Sequence, residues 1–378
     1  MFYDICLCRN SLSGFSMSKR RYIAFLPFLA LLAACSSKPQ TQAATPAATV
    51  PSGGFLLQPQ HDVTMPGGDF AGNPEAEKFI ERMVSKHGFD RGQLHEILSQ
   101  AKRLDYVLRL MDRQAPSRTT QPPSGPNGAW LRYRKQFITP DNVQNGVAFW
   151  NQYEDALTRA WLVYGVPPEI IVGIIGVETR WGRIMGKTRI LDALATLSFE
   201  YPRRAEYFSG ELETFLLMAR DEQDDPLNLK GSFAGAMGYG QFMPSSYKQH
   251  AVDFNGDGHI NLWDPEDAIG SVANYFKAHG WSKGKPVAVQ ANGQAVGLAN
   301  GFKTQYSPAQ LTAAGLTPQQ PLGNPDQVSL LRLDVGTGYE YWYGLPNFYT
   351  ITRYNHSTHY AMAVWQLGEA VALARAQQ

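Results

Sequence analysis

Residues 166–182 read Val166-Pro167-Pro168-Glu169-Ile170-Ile171-Val172-Gly173-Ile174-Ile175-Gly176-Val177-Glu178-Thr179-Arg180-Trp181-Gly182. Val166-Pro167-Pro168 stops one helix and starts the next, because proline lacks the N–H that a first helical turn does not need. Glu178 follows Ile171, Ile174 and Ile175 by seven, four and three residues, so on a helix it projects from the most apolar stripe. Gly182 is the expected C-terminal cap, which places Glu178 in the last turn. Desolvation among isoleucines and the negative end of the helix dipole then both favour the protonated carboxyl. A carboxylic acid kept neutral near neutral pH is what a general acid needs. The competing reading is a glutamate that reaches solvent or pairs with Arg180 or Arg183.

Helical spacing extends outward on both sides. Residues 74–113 carry apolar positions at intervals of three and four, with Asp90 a natural N-cap for the second of three helices. A Pro/Gly/Ser/Thr-rich stretch, 115–128, precedes Trp130 and Tyr133, and a further helical run covers about Val143 to Tyr164. After Trp281 the pattern changes to short alternating runs such as 287–290 and 328–333, separated by Gly, Asn, Asp and Pro, which predicts a small β-containing insert over 285–345. Within it, residues 339–343 form an aromatic cluster that either binds glycan or packs the sheet. Residues 358–376 return to helix. The fold class is mainly α (α+β). The expected divisions are a leader and signal peptide (1–34), a tether (35–68), an N-terminal helical domain (69–148), a catalytic core (149–284), the insert (285–345) and a C-terminal return to the core (346–378).

Residues 253–267 hold Asp253, Asn255 and Asp257 at alternate positions, then Gly258 and Ile260. Oxygens so spaced converge on one point, and glycine permits the sharp turn between them, as a hard divalent cation requires. An Asp/Asn/Gly-rich surface turn is the plainer alternative. The calcium reading assigns ligands to Asp253, Asn255, Asp257, the backbone carbonyl of His259 and Asp267, with Asp264 as the alternative closing ligand. A single unpaired loop fits a structural clip better than a switch.

At the N-terminus, Lys19-Arg20-Arg21 precedes a mostly apolar run, 22–34, too short to span a bilayer and suited to a secretory signal. It ends Leu32-Ala33-Ala34-Cys35, the pattern of a bacterial lipoprotein signal in which Cys35 is lipidated. Residues 1–16 fit no part of such a signal, so Met17 is the expected start. Ser36 resembles a sorting signal for the outer membrane, which places the protein there, lipid-anchored and facing the periplasm. The chain holds three cysteines; Cys6 and Cys8 precede the cleavage point, so the mature body has no disulfide or thiolate chemistry. A net charge of +1 without a basic stripe argues against nucleic acid as a partner. His356 and His359 lack the glutamate of a zinc helix.

Glu178-Thr-Arg-Trp-Gly182 and Gly235-Ala-Met-Gly-Tyr-Gly-Gln241-Phe-Met-Pro-Ser-Ser-Tyr247 resemble the E-S/T-x-x-G and G-x-x-Q-F-M-P-S motifs of the lytic transglycosylases. The lipoprotein signal and calcium loop narrow the resemblance to the membrane-bound branch of that family, from about residue 70 to the C-terminus. The resemblance implies a lysozyme-like core and cleavage of the β-1,4 bond between N-acetylmuramic acid and N-acetylglucosamine in peptidoglycan, leaving a 1,6-anhydromuramoyl end. It implies Glu178 as sole acid and base. It further implies Ser232 and Gln241 as polar cleft residues and Met237 and Phe242 as apolar walls. Tyr133, Tyr275, Tyr354, Asn355 and Tyr360 would surround the sugar subsites, and Arg203 and Arg204 would meet substrate carboxylates. The implied cofactor is structural Ca2+, with no organic cofactor. The implied partners are glycan strands, the membrane and other cell-wall enzymes, with the protein a monomer. A lysozyme-type hydrolase, a non-enzymatic peptidoglycan-binding lipoprotein and a calcium-regulated adaptor are the competing readings.

Overall fold

The computed structural model describes residues 67–114 and 125–378. The leader, Met17, Cys35, the tether up to residue 66 and most of the 115–128 stretch lie outside the described residues. In chain order the helices before Glu178 are α1 (Pro74–His87), α2 (Arg91–Ser99), α3 (Asp105–Gln114), α4 (Ala129–Arg134), α5 (Pro140–Gln152) and α6 (Glu154–Tyr164). Then come α7 (Pro168–Thr179), strand β1 (Thr188–Arg189), α8 (Ile190–Glu200), α9 (Ala205–Asp221), strand β2 (Lys230–Gly231), α10 (Pro244–His250) and α11 (Pro265–Ala278). The chain continues with β3 (Ala288–Gly293), α12 (Pro308–Ala313), β4 (Leu316–Pro318), β5 (Ser329–Asp334), β6 (Tyr339–Gly344), α13 (Pro346–Tyr354) and α14 (Thr358–Ala376). The mainly helical reading and the β-containing insert are both present.

Local chemistry explains most helix ends. Asn73 caps α1 by accepting from the Glu75 and Ala76 N–H groups, Pro74 opens the helix, and Gly88 closes it in the left-handed conformation. Asp90 caps α2, as its sequence position predicts, by accepting from the Gln93 N–H. The run expected over about Val143 to Tyr164 is two helices instead. It begins earlier, at Pro140, where the Thr139 hydroxyl accepts from the Asn142 N–H, and it breaks at Tyr153 (φ −116°, ψ 30°). Tyr153 turns its ring onto Phe149, centroids 4.9 Å apart, and α6 leaves in a new direction that lets Arg159 reach Glu266 at the start of α11.

The pairing of α7 with α14 positions the site. A Cβ on Gly173 would lie 2.3 Å from the Val364 carbonyl oxygen, and one on Gly368 would lie 2.1 Å from that of Glu169. Only glycine permits so close a crossing. Every residue of α7 from Ile170 to Thr179 is buried. The stripe expected from periodicity is therefore a helix apolar all round, as a helix enclosed on every side must be.

The insert is a four-stranded antiparallel sheet in the order β4-β3-β6-β5. Val289, Leu330, Tyr341 and Tyr343 bury one face under Leu311 of α12, while Ala288, Leu331 and Leu333 join the main core through the other. The Tyr343 hydroxyl donates to the Leu316 carbonyl at 3.0 Å. Tyr341 and Tyr343 of the 339–343 cluster thus pack the sheet.

Candidate active site

Glu178 lies at the C-terminal end of α7, 1% exposed. The Tyr360 hydroxyl donates to its Oε1 at 2.5 Å from the first turn of α14, where Ser357 caps the helix and accepts from the Tyr360 N–H. Solvent, Arg180 or Arg183 belonged to the competing reading of this glutamate; the fold buries it, as the desolvated reading expects, and adds a phenol. The helix also ends differently from expectation. Arg180 (φ 50°), and not Gly182, is the left-handed cap, with its N–H toward the Ile175 and Gly176 carbonyls. Trp181 follows at φ 55°. Two successive non-glycine residues in this region are costly, and the Trp181 ring accounts for them. Its Nε1 donates to the Val172 carbonyl at 3.1 Å, and it fills the space beside Gly176. Gly182 (φ +84°) is needed for another reason, since a Cβ there would lie 2.4 Å from the Tyr239 ring.

The second motif folds back on itself beside this end. Met237 and Phe242 exchange two backbone hydrogen bonds, 2.8 and 3.1 Å, which closes a tight loop through Gly238 (φ 65°) and Gln241 (φ 54°). The Gln241 Nε2 donates to the Gly238 carbonyl at 2.8 Å and faces the Met185 carbonyl at 3.2 Å. The side chain is thereby fixed with its amide nitrogen inward. Met237 and Phe242 are buried beneath it. Ser232 is half-buried, and its hydroxyl accepts from the Ala234 and Ala236 N–H groups, so its first role is to shape this loop.

Tyr354 and Asn355 end α13 against the same loop. The Tyr354 hydroxyl donates to the Gly240 carbonyl at 2.5 Å. Burial, and after it the Glu178 charge, holds that phenol far above its ordinary titration range, so it stays protonated. Asn355 is buried and its Oδ1 has no hydrogen-bond partner among the described residues. A buried unpaired acceptor is expensive unless a ligand completes it. Tyr275 packs behind Tyr354, centroids 4.8 Å apart, with its hydroxyl spent on the Arg353 carbonyl. Tyr133 is half-buried and lies against Trp130 and His359. Arg203 and Arg204 do not join this group among the described contacts: Arg204 sits over the Tyr207 ring of its own helix at 4.4 Å, and Arg203 is exposed.

Sequence reading gave no role to Thr179 or Tyr239, and weighed His359 only as a metal ligand, which it set aside. Thr179 is fully buried, accepts from the Gly182 N–H, and lies 3.0 Å from the Tyr239 carbonyl, tying α7 to the second motif. Its place in the E-S/T-x-x-G pattern was the available signal.

The acidic loop adjoins the second motif through the Leu262 carbonyl, which accepts from the Tyr239 N–H at 3.0 Å. Asp267 is fully buried at its centre. Its Oδ1 accepts from Phe254 and Asn255, and its Oδ2 from Asn261. Burial holds its titration above the ordinary aspartate value, and those N–H groups offset only part of the rise. Asp264 is committed elsewhere, as the N-cap of α11. Asp253 accepts from Gly256 and Gly258, and Asp257 from His259, so the loop closes on its own acids. Among the described residues no three His, Cys, Asp or Glu side chains already converge as a cage. The donor set is still of the kind a hard cation takes, oxygens at alternate positions in a loop built around a buried carboxylate.

A profile of the family described as Transglycosylase SLT domain matches residues 71–369. The chain is 82% identical over 361 residues to the membrane-bound lytic murein transglycosylase B of Escherichia coli (strain K12), covering 96% of this chain and 100% of the relative. Among solved structures, the E. coli lytic transglycosylase Slt35 in complex with bulgecin A is 84% identical, with 85% of this chain and 100% of that one covered and a TM-score of 0.81. Slt35 in complex with calcium is 83% identical, with the same coverage and TM-score.

Proposed function

The chain belongs to the transglycosylase SLT domain family, and from that premise we propose how its residues carry the reaction of a lytic murein transglycosylase. The reaction cleaves the β-1,4 bond between N-acetylmuramic acid and N-acetylglucosamine and leaves a 1,6-anhydromuramoyl end. The observation that carries the assignment is a buried carboxyl, Glu178, held by the Tyr360 phenol at the end of a fully enclosed helix. Burial favours the neutral acid, the form able to donate. Tyr360 holds Oε1 and so fixes the orientation of the carboxyl that carries the proton.

Glu178 gives that proton to the leaving glycosidic oxygen as the C1–O bond breaks and an oxocarbenium-like centre forms. The resulting carboxylate, steadied by the Tyr360 hydrogen bond, takes the proton from the muramoyl C6 hydroxyl while that oxygen bonds to C1. Glu178 ends the cycle protonated, and no water is consumed. A nucleophile within the same sugar acts at high effective concentration, and the substrate's own N-acetyl group stabilises the cation. Gln241 and the unpaired Asn355 Oδ1 offer an amide and an acceptor to the N-acetyl and hydroxyl groups, and Tyr133 offers its ring. Tyr275 acts from behind, by holding Tyr354. Arg203 and Arg204 are left to more distant parts of the substrate.

Calcium is proposed as a structural ion, supported by its presence with the similar Slt35 chain. Asp253, Asn255, Asp257, the His259 carbonyl and Asp267 would hold it. There it would supply charge that lets the acids stay together, as a structural ion. Among the described residues no single helix is long and apolar enough to cross a membrane. A lipid on Cys35, in the outer membrane with the enzyme facing the periplasm, is proposed on the signal pattern before Cys35 and is supported by the relative's description as membrane-bound.

The assignment is tested with Glu178→Gln. The unmodified protein should release anhydromuramoyl products from purified sacculi, detected by mass. The variant should be slower by about 10³-fold or more, since a positioned acid–base group contributes on the order of 10²–10⁴ to each proton transfer. Equal release by both would remove Glu178 from the reaction.

A further inference from the structure

A cavity of about 470 Å³ lies where α4 and α14 meet the sheet, and Trp342, Trp365, Gln290, Glu340, Gln366 and Glu369 line it. Its size is that of a small-ligand site. The strand pairing explains how it is built. Gln290 on β3 is the direct cross-strand partner of Trp342 on β6, and Glu340 shares their face because strand side chains alternate. Tyr341 and Tyr343 point the other way into the insert's core. Trp342 meets Trp365 of α14 edge-on, centroids 5.7 Å apart at 87°, so two half-buried indoles form a corner. The Trp342 Nε1 leans on Glu340 at 3.4 Å, and the Arg134 Nε donates to the Gln366 oxygen at 2.8 Å, which fixes that amide at the rim.

This corner is separate from the site around Glu178. Trp365 and Glu369 follow Tyr360 by five and nine residues on α14. At about 100° per residue they lie roughly 140° and 180° around the helix from the phenol that holds Glu178. Buried Trp130 stands between, lining the cavity while its ring lies against Tyr133 and His359.

We propose that this cavity is a second saccharide-binding site, for uncharged N-acetylhexosamine units of a glycan strand away from the bond being cut. Perpendicular indoles accept the C–H face of a pyranose. Two amides, two carboxylates and a guanidinium supply both donors and acceptors for hydroxyl and N-acetyl groups. Charges of both signs around one pocket suit a neutral polyol better than an ion. The site goes beyond the proposed reaction and would keep the enzyme on its polymer between cuts.

The full chain carrying Glu178→Gln and 5-fluorotryptophan, titrated with the N-acetylglucosamine tetramer, reads the site directly by ¹⁹F NMR. The Trp342 and Trp365 resonances, assigned with Trp342→Phe and Trp365→Phe, should shift saturably. In the active chain, Trp342→Ala with Gln290→Ala should weaken sacculus binding by about tenfold, as loss of an aromatic anchor does. Turnover of a short soluble muropeptide should stay within about twofold. Unmoved resonances, or unchanged sacculus binding by a variant that melts as the parent does, would overturn the site and leave the proposed reaction standing. Shifts in a protein whose unmodified form releases no anhydromuramoyl product would do the reverse.

Discussion

Tyr360→Phe removes a hydroxyl that donates to Glu178 while leaving the ring in its buried place. The phenol helps most when Glu178 is anionic, after the first proton transfer, so its loss should be felt in the chemical step more than in binding. The variant should therefore lose about ten- to a hundredfold in kcat with KM nearly unchanged, in keeping with the loss of a charge-assisted hydrogen bond. Steady-state release of soluble anhydromuropeptides checks it; a rise in KM alone would make Tyr360 a binding residue. At this scale the sequence was informative wherever a motif fixed a residue's neighbours. Glu178 and Gln241 were legible for that reason. The phenol holding Glu178 was not, because 182 residues separate the two. Tyr354 and Tyr275 looked equivalent in sequence, and only the fold puts one against the Gly240 carbonyl and the other behind it.

Helices α7 and α14 can cross closely, and the loop after α7 can turn, only because small residues sit at the contacts. Gly182→Ala would set a Cβ against the Tyr239 ring in a left-handed backbone. It should lower stability by about 1–3 kcal/mol, read by denaturant midpoint, and reduce kcat because Thr179 and Glu178 share that turn. A variant with parental stability would contradict the geometry. Asp267→Ala would strand three backbone N–H groups at the centre of the acidic loop. The loss should be about 3 kcal/mol or more, at roughly 1–3 kcal/mol for each unsatisfied group, and calcium should no longer raise the melting temperature. Element existence was legible from periodicity, capping residues and turns, as with Asp90 at α2 and the helix over 358–376. The cap of α7 and the break at Tyr153 were not. Trp181 seats its ring against Gly146 of α5, a contact with a distant segment that no local pattern carries, and Tyr153 folds its ring back onto Phe149 of the helix it ends.

Two groups of side chains make stability fall on acidification, against the opposite effect of buried carboxyls such as Glu211, whose titration burial raises. Burial raises the Glu213 carboxyl, but hydrogen bonds from Lys86, His87 and Arg82 outweigh it and bring the group from 4.5 to about 2. A depressed acid contributes stability above its unfolded value, and that contribution is lost as pH falls from about 4.5 toward 2. His250 and His279 are depressed by burial from 6.5. Their neutral forms add stability that is present above 6.5 and declines below it. Compared with the parent, Glu213→Gln should lose less melting temperature as pH falls below about 4.5, and a parent and variant that fall in parallel would contradict the role of Glu213. Calcium chelation should lower the melting temperature more than it lowers turnover of the folded enzyme, because the loop reaches the second motif through Leu262 and Tyr239 and not through Glu178. Equal losses would give the ion a part in catalysis. At this scale the resemblance conveyed the architecture, and composition conveyed little beyond excluding nucleic acid. The crossing of α7 on α14 and the two-sided burial of the insert depend on contacts between distant segments.

Whether water enters the bond that is made decides the mechanism most directly. Sacculi digested in H₂¹⁸O and analysed by mass should give 1,6-anhydromuramoyl ends with no ¹⁸O at C1, because the C6 oxygen of the same sugar is the nucleophile. Products two mass units heavier than their ¹⁶O-water counterparts, carrying ¹⁸O at C1 of a free reducing end, would make the reaction a hydrolysis and contradict a single acid–base residue acting on an internal hydroxyl.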